Sequence, residues 1–271
     1  MQYARRQPTT TEATAIRTSQ KNLATFVRLK KLEHPPQSAR VRWLLPTHAT
    51  TMNILTALRD AWYFFTHNLT AIACLCLPLI ALEGLLLQQV DQLTDSASTL
   101  QWRLLAGLLF YPIYSAALIL FLDARSRGAS PRLLDLLAAG LRLWPSFALL
   151  AGISTFAIVL GAYLFVLPGL WLMVKLAFAE YLLVLRGLSP LKALQESFTL
   201  TTGYFWPLLG CILGIMLPLW LLDGWSQSNP AFESNALASL ALDCLSRFAQ
   251  LFSTVVLFRL FMLRSLKADS E

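Results

Sequence analysis

From Leu69 onward the chain alternates long apolar runs with short polar stretches. The runs are Leu69–Val90, Leu104–Leu122, Trp144–Leu167, Leu170–Leu185, Phe205–Leu222 and Leu237–Leu263. A bilayer's hydrocarbon core is about 30 Å thick and a helix rises about 1.5 Å per residue, so about 20 apolar residues cross it. The fourth run is short, and Gly169 and Arg186 or local thinning are expected to complete it. Pro168-Gly169 reads as a bare turn. Strands of a membrane barrel would alternate apolar and polar positions, and these runs do not. The pattern predicts an all-α polytopic membrane protein with six transmembrane helices.

Two of the polar stretches resemble each other. One reads Arg127-Gly128-Ala129-Ser130-Pro131, the other Arg186-Gly187-Leu188-Ser189-Pro190, and each leads to Trp-Pro at the mouth of the next run (Trp144-Pro145 and Trp206-Pro207). Serine before proline is a helix start, because its oxygen caps free N–H groups and proline fits the first turn. After the first string Leu134, Leu137 and Leu141 share a face. After the second, Leu191, Leu194 and Phe198 do. A third amphipathic stretch precedes the first run, with Ile54, Leu55, Leu58, Trp62 and Phe65 opposite Arg59 and Asp60. Helices of this kind lie in the membrane interface. The chain therefore reads as three units, each an in-plane cytoplasmic helix followed by a transmembrane hairpin.

Composition agrees with the pattern: 56% of residues are apolar and 14% charged, against about 25% charged in soluble domains. That balance disfavours a soluble enzyme. The net charge of +7 suggests nucleic acid until it is located. Residues 1–51 carry nine basic and two acidic residues, while 52–271 carry thirteen of each. The excess is confined to an N-terminal arm, so no nucleic-acid partner is expected. That arm has eleven Ser/Thr, four prolines and no apolar run long enough for a secretory signal. An organellar transit peptide and an arm for anionic lipid are alternatives. The favoured reading is a disordered extension, with the working protein, a six-helix membrane domain, spanning 52–271 from Met52. The basic loops at 123–143 and 186–204, with Arg264 and Lys267, place both termini in the cytoplasm.

The run Pro168-Gly169-Leu170-Trp171, an apolar span, then Ser189-Pro190 leading into Ala193-Leu194-Gln195-Glu196-Ser197-Phe198-Thr199-Leu200 resembles the YciC-like family of bacterial inner-membrane proteins. The closing Phe258-Arg259-Leu260-Phe261-Met262 is similar to that family's C-terminal end. The resemblance covers about residues 52–266 and extends in pattern to the membrane domain fused to some glycerophosphodiester phosphodiesterases. It implies a bacterial inner-membrane location and a fold. The family has no agreed biochemical role to carry over.

Ionisable residues inside spans are costly and are functional candidates by default. Here they are Glu83, Lys175, Glu180, Asp243 and Arg247. Asp243 and Arg247 are four apart and are expected to pair on one helix face. The five groups either fix the packing of the hairpins or line a polar cavity open to the outside. His67 is the only histidine after Met52, and no HExxH, GxSxG or Walker A pattern occurs. Cys74, Cys76, Cys211 and Cys244 lie in apolar runs and read as packing residues. No catalysis, cofactor or metal is expected. Two functions from different classes remain. One is an accessory or structural protein of envelope or lipid homeostasis, with membrane lipids and other membrane proteins as partners. The other is a small transporter or channel, against which stand the short chain and the expected absence of broken helices and of a proton-relay string.

Overall fold

The computed structural model describes residues 54–93, 96–227 and 236–268. The N-terminal arm at 1–51 lies outside the described residues. Apart from 126–128, the described residues belong to one compact unit. Among them there are nine helices and no strand: α1 (Ile54–His67), α2 (Leu69–Leu93), α3 (Ser96–Ser126), α4 (Leu133–Leu164), α5 (Val166–Leu176), α6 (Ala179–Arg186), α7 (Pro190–Leu200), α8 (Phe205–Gln227) and α9 (Ala236–Ala268). Six stretches among the described residues are long and apolar enough to cross a membrane: Leu69–Val90, Gln101–Ser126, Leu133–Leu164, Val166–Arg186, Phe205–Leu222 and Leu240–Ser265. The protein is a multi-pass helical membrane protein.

The second of these stretches is the most buried of the six. Half of its apolar window is buried inside the protein, against about a fifth for the third, fifth and sixth. Its small residues Ser115, Ala116 and Ala117 let neighbours approach. Gly140 of α4 sits against it so closely that a Cβ there would lie 2.7 Å from the Ile113 carbonyl oxygen. A second close contact joins α4 to α5, where Gly161 and Ala162 meet Gly169. The turn between them is Phe165, in extended backbone, and Pro168-Gly169 is not a turn. Pro168 lies in the first turn of α5, where its missing N–H removes no intrahelical bond. Gly169 is needed for contact.

The fourth span is broken, which the sequence reading did not foresee. α5 stops at Leu176 and α6 starts at Ala179. A break exposes backbone groups that lipid cannot satisfy. Ser197 of α7 satisfies two of them: its Oγ donates to the Lys175 carbonyl (2.7 Å) and accepts from the Phe178 N–H (3.2 Å).

The three amphipathic stretches behave differently from one another. α1 is joined to α2 through Asn68 alone, with backbone bonds Asn68 N–H to Phe64 O and Ile72 N–H to Asn68 O running across the join. The second stretch is no separate helix, because α4 runs unbroken from Leu133 through Pro145 to Leu164. Pro145 removes one N–H, and nothing else between Leu133 and Trp144 interrupts the ladder. Ser130 is not its cap; that position belongs to Arg132. The third stretch, α7, is a helix of its own with Ser189 at the N-cap position and Pro190 at the start, but without a side-chain capping bond. Ala57, Ala61 and Phe65 are buried in α1, Leu136 and Gly140 in α4, and Ala193 and Ser197 in α7. Trp62, Leu134, Leu141 and Leu191, from the apolar faces read in the sequence, are exposed on the protein surface.

Candidate functional site

The inward face of α2 carries Ile72, Cys76, Ile80, Glu83 and Leu87, three or four residues apart. Glu83 is therefore placed in the core by the helical repeat, and it is 1% exposed. On α9 the same logic lines up Arg247, Leu251, Val255 and Phe258. Glycine lets these two helices meet: a Cβ at Gly84 would lie 2.9 Å from the Leu240 side chain. Two helical turns later on α9, Arg247 Nη1 donates to Glu83 Oε1 at 2.7 Å.

This pair was not among those expected. Arg247 was expected to serve Asp243, four residues earlier on its own helix. It also has a tertiary partner in Glu83, because α2 presents a buried carboxylate at that level, while Asp243 lies on the exposed side of α9. The pair is incomplete. Glu83 Oε2 is buried and has no hydrogen-bond partner among the described residues. The Arg247 side chain is about one-third exposed.

Glu180, at the start of α6, is held differently. Tyr111 Oη lies 2.7 and 2.9 Å from its two carboxylate oxygens, and Ser115 Oγ is 3.4 Å away. Among the described residues no cation pairs with it. Tyr111 packs edge-on against Tyr114 at 5.6 Å between centroids. Tyr114 in turn lies within electrostatic reach of both Glu83 and Arg247. The second span thus places Tyr111, Tyr114 and Ser115, which recur on one helix face, between the half-buried Glu180 and the buried Glu83. Lys175 is not part of this group. Its Nζ donates to Thr202 Oγ1 at 3.1 Å, beyond the end of α7, and lies 5.9 Å from the Trp171 ring centroid.

Of the five candidates, the structure brings together Glu83 and Arg247, connects Glu180 to them through tyrosines, and leaves Lys175 apart. The sequence reading did not single out the Tyr111, Tyr114 and Ser115 triplet, although their i, i+3, i+4 spacing was visible. It also passed over Arg259, which lies within the sixth apolar run. Arg259 is buried and its Nη2 meets Asp60 Oδ2 of α1 at 3.2 Å. Asp60, assigned to the polar face, keeps about a third of its side chain exposed while meeting this buried partner. Arg125 Nε donates to Asn68 Oδ1 at 3.1 Å, at the join of α1 and α2. No three His, Cys, Asp or Glu side chains converge on a possible metal position among the described residues. The cysteines are free thiols; Cys76 and Cys211 are buried and Cys74 is exposed. No protein-family model and no solved structure matches the chain.

Proposed function

We propose that this protein is an accessory or structural component of a bacterial inner membrane, serving envelope or lipid homeostasis through contacts with lipids and other membrane proteins, and that it is not an enzyme. Both termini face the cytoplasm, and the helices form three hairpins, two of them led by a separate interfacial helix, α1 and α7, and the middle one by the first turns of α4. Assignment to the YciC-like family is part of the same reading. One observation carries it: the intramembrane ionic groups are spent on ties between helices. Glu83 to Arg247 joins α2 to α9, Asp60 to Arg259 joins α1 to α9, and Glu180 to Tyr111 joins α6 to α3. Charges used this way hold a bundle in register. Removing one member of such a buried pair is strongly destabilising, while replacing both is often tolerated.

The test neutralises both members of a tie. Glu83→Gln with Arg247→Gln should accumulate near wild-type level and bring the same lipids and proteins with it from native membranes, while either single variant accumulates less. A double variant that folds but loses its co-purifying lipid or protein would overturn the structural reading. A small transporter or channel remains the second reading. It is favoured by the broken fourth span, whose second half begins at the half-buried carboxylate Glu180. Ion flux through reconstituted proteoliposomes, abolished by Glu180→Gln, is its signature.

A further inference from the structure

The Glu83 pair is built with one position left over. Oε1 takes the Arg247 hydrogen bond, and Oε2 receives nothing. A buried carboxylate oxygen normally finds a donor, from protein or from water. Here the packing leaves almost no surface at that atom, so neither a water nor a solute fits beside it. The one ligand that needs no volume is a proton.

We propose that Glu83 is an intramembrane proton-binding site, and that a proton on Oε2 releases Arg247 and so loosens the tie between α2 and α9. The step is an addition without a leaving group: a proton enters from solvent, the carboxylate becomes a carboxylic acid, and the charge-assisted bond to the guanidinium weakens to a neutral one. Arg247 can leave because its side chain is one-third exposed. Asp243 precedes it by four residues on α9, a spacing that suits an acid–base pair. The groups around Glu83 are Arg247 and Cys244 on α9 and Tyr114 on α3, with Cys76 and Glu180 acting on Tyr114. α1 and α4 also pack on α2. On α1, Asp60 is tied to Arg259 and Arg59 and His67 are exposed; on α4, Arg132, Asp135 and Arg142 are exposed. This goes beyond the structural reading above, which asks only that the tie exist.

Two measurements on the full chain in lipid nanodiscs test it. Infrared difference spectra between neutral and acid pH should show a protonated-carboxyl band that disappears in Glu83→Gln and persists in Glu180→Gln. If the single variant does not accumulate, Glu83→Gln with Arg247→Gln carries the same arm. A band unaffected by the loss of Glu83, or no band, overturns the site. Spin labels at the exposed positions Leu86 and Leu245 report the separation of α2 and α9, with the four native cysteines replaced. The distance distribution should widen on acidification in otherwise wild-type protein and be wide already at neutral pH in Glu83→Gln. A Glu83 band without that widening overturns the release.

Discussion

After Arg127-Gly128-Ala129-Ser130-Pro131 the chain enters one 32-residue helix, whereas after Arg186-Gly187-Leu188-Ser189-Pro190 it forms an 11-residue helix, stops, and restarts at Phe205. The opening strings share even their backbone: Gly128 and Gly187 both have positive φ, 75° and 63°. The difference arises later. Thirteen residues (132–144) separate Pro131 from Pro145, and sixteen (191–206) separate Pro190 from Pro207. The longer stretch holds Thr201, Thr202 and Gly203. Both threonine hydroxyls donate back to carbonyls of the preceding turn, at Ser197 and Phe198, and Gly203 takes a left-handed φ of 83°. Side-chain bonds to the backbone compete with helix continuation, and a left-handed glycine ends it. A released helix is free to fold back and fill the break in the fourth span. The fused one has no such freedom and is instead pinned at Gly140.

The largest effect should come from the pinned side. Gly140→Val places a side chain where the Ile113 carbonyl oxygen stands 2.7 Å from the Cβ position. Backbone cannot swing aside, so α3 and α4 must separate, at or above the about 1–3 kcal/mol typical of overpacking. Membrane accumulation and detergent thermal stability should both fall sharply. Gly210→Val, at a glycine with no neighbour within 4 Å, is the control and should be near neutral.

On the released side the sensitive position is Ser197. Ser197→Ala leaves the Lys175 carbonyl and Phe178 N–H at the break without their bridging hydroxyl. A lost buried hydrogen-bond partner costs about 1–3 kcal/mol, read as a lower midpoint in thermal unfolding. Seven residues after Pro131, the counterpart is Ala138, which is exposed. Ala138→Ser should change nothing measurable. Equal losses at the two positions would remove the distinction between the strings.

Gly203→Ala should act more weakly. No atom lies within 4 Å of its Cβ position, so the whole cost is the left-handed backbone, about 1–2 kcal/mol. Deleting Thr201, Thr202 and Gly203 together should go further and convert the second segment into the first. Spin-label distances between α7 and α8 would then report one helix in place of two.

The spans were legible because lipid imposes length and apolarity directly. Leu69–Val90 and Phe205–Leu222 coincide with the predicted runs. Which face turns inward was not legible from hydrophobicity, because lipid is as apolar as leucine and gives it no reason to hide. Leu134 and Leu141 accordingly face outward, and the inward faces are marked by small residues: Ala57, Ala61, Gly140, Ala193 and Ser197. The candidate charges were legible as a set for the same energetic reason that makes them rare. Their partners were not, since Arg247 had a local acid in Asp243 and the tertiary one, Glu83, is 164 positions away. The break in the fourth span left no trace in the apolar run, because Ala177 and Phe178 are as acceptable in a helix as outside it.

The smallest expected effect belongs to the ion pair of Arg186 with Glu196, which links the end of α6 to α7. Both side chains are about one-third exposed. Exposed pairs contribute about 0–1 kcal/mol, because solvent screens them and ordering two long side chains opposes the gain. The first string has Arg127 in the place of Arg186 but Leu137 in the place of Glu196, so the pair is a second difference between the segments. Glu196→Leu makes the second string match the first at this position and isolates its contribution. If Ser197 and Gly203 set the separate helix, Glu196→Leu should lower the unfolding midpoint less than Ser197→Ala. Its small effect should also vanish at high salt, where wild type loses the same margin by screening. A Glu196→Leu loss exceeding that of Ser197→Ala, and insensitive to salt, would transfer the cause of the difference from the hydroxyl at the break to the charge at the end of α6.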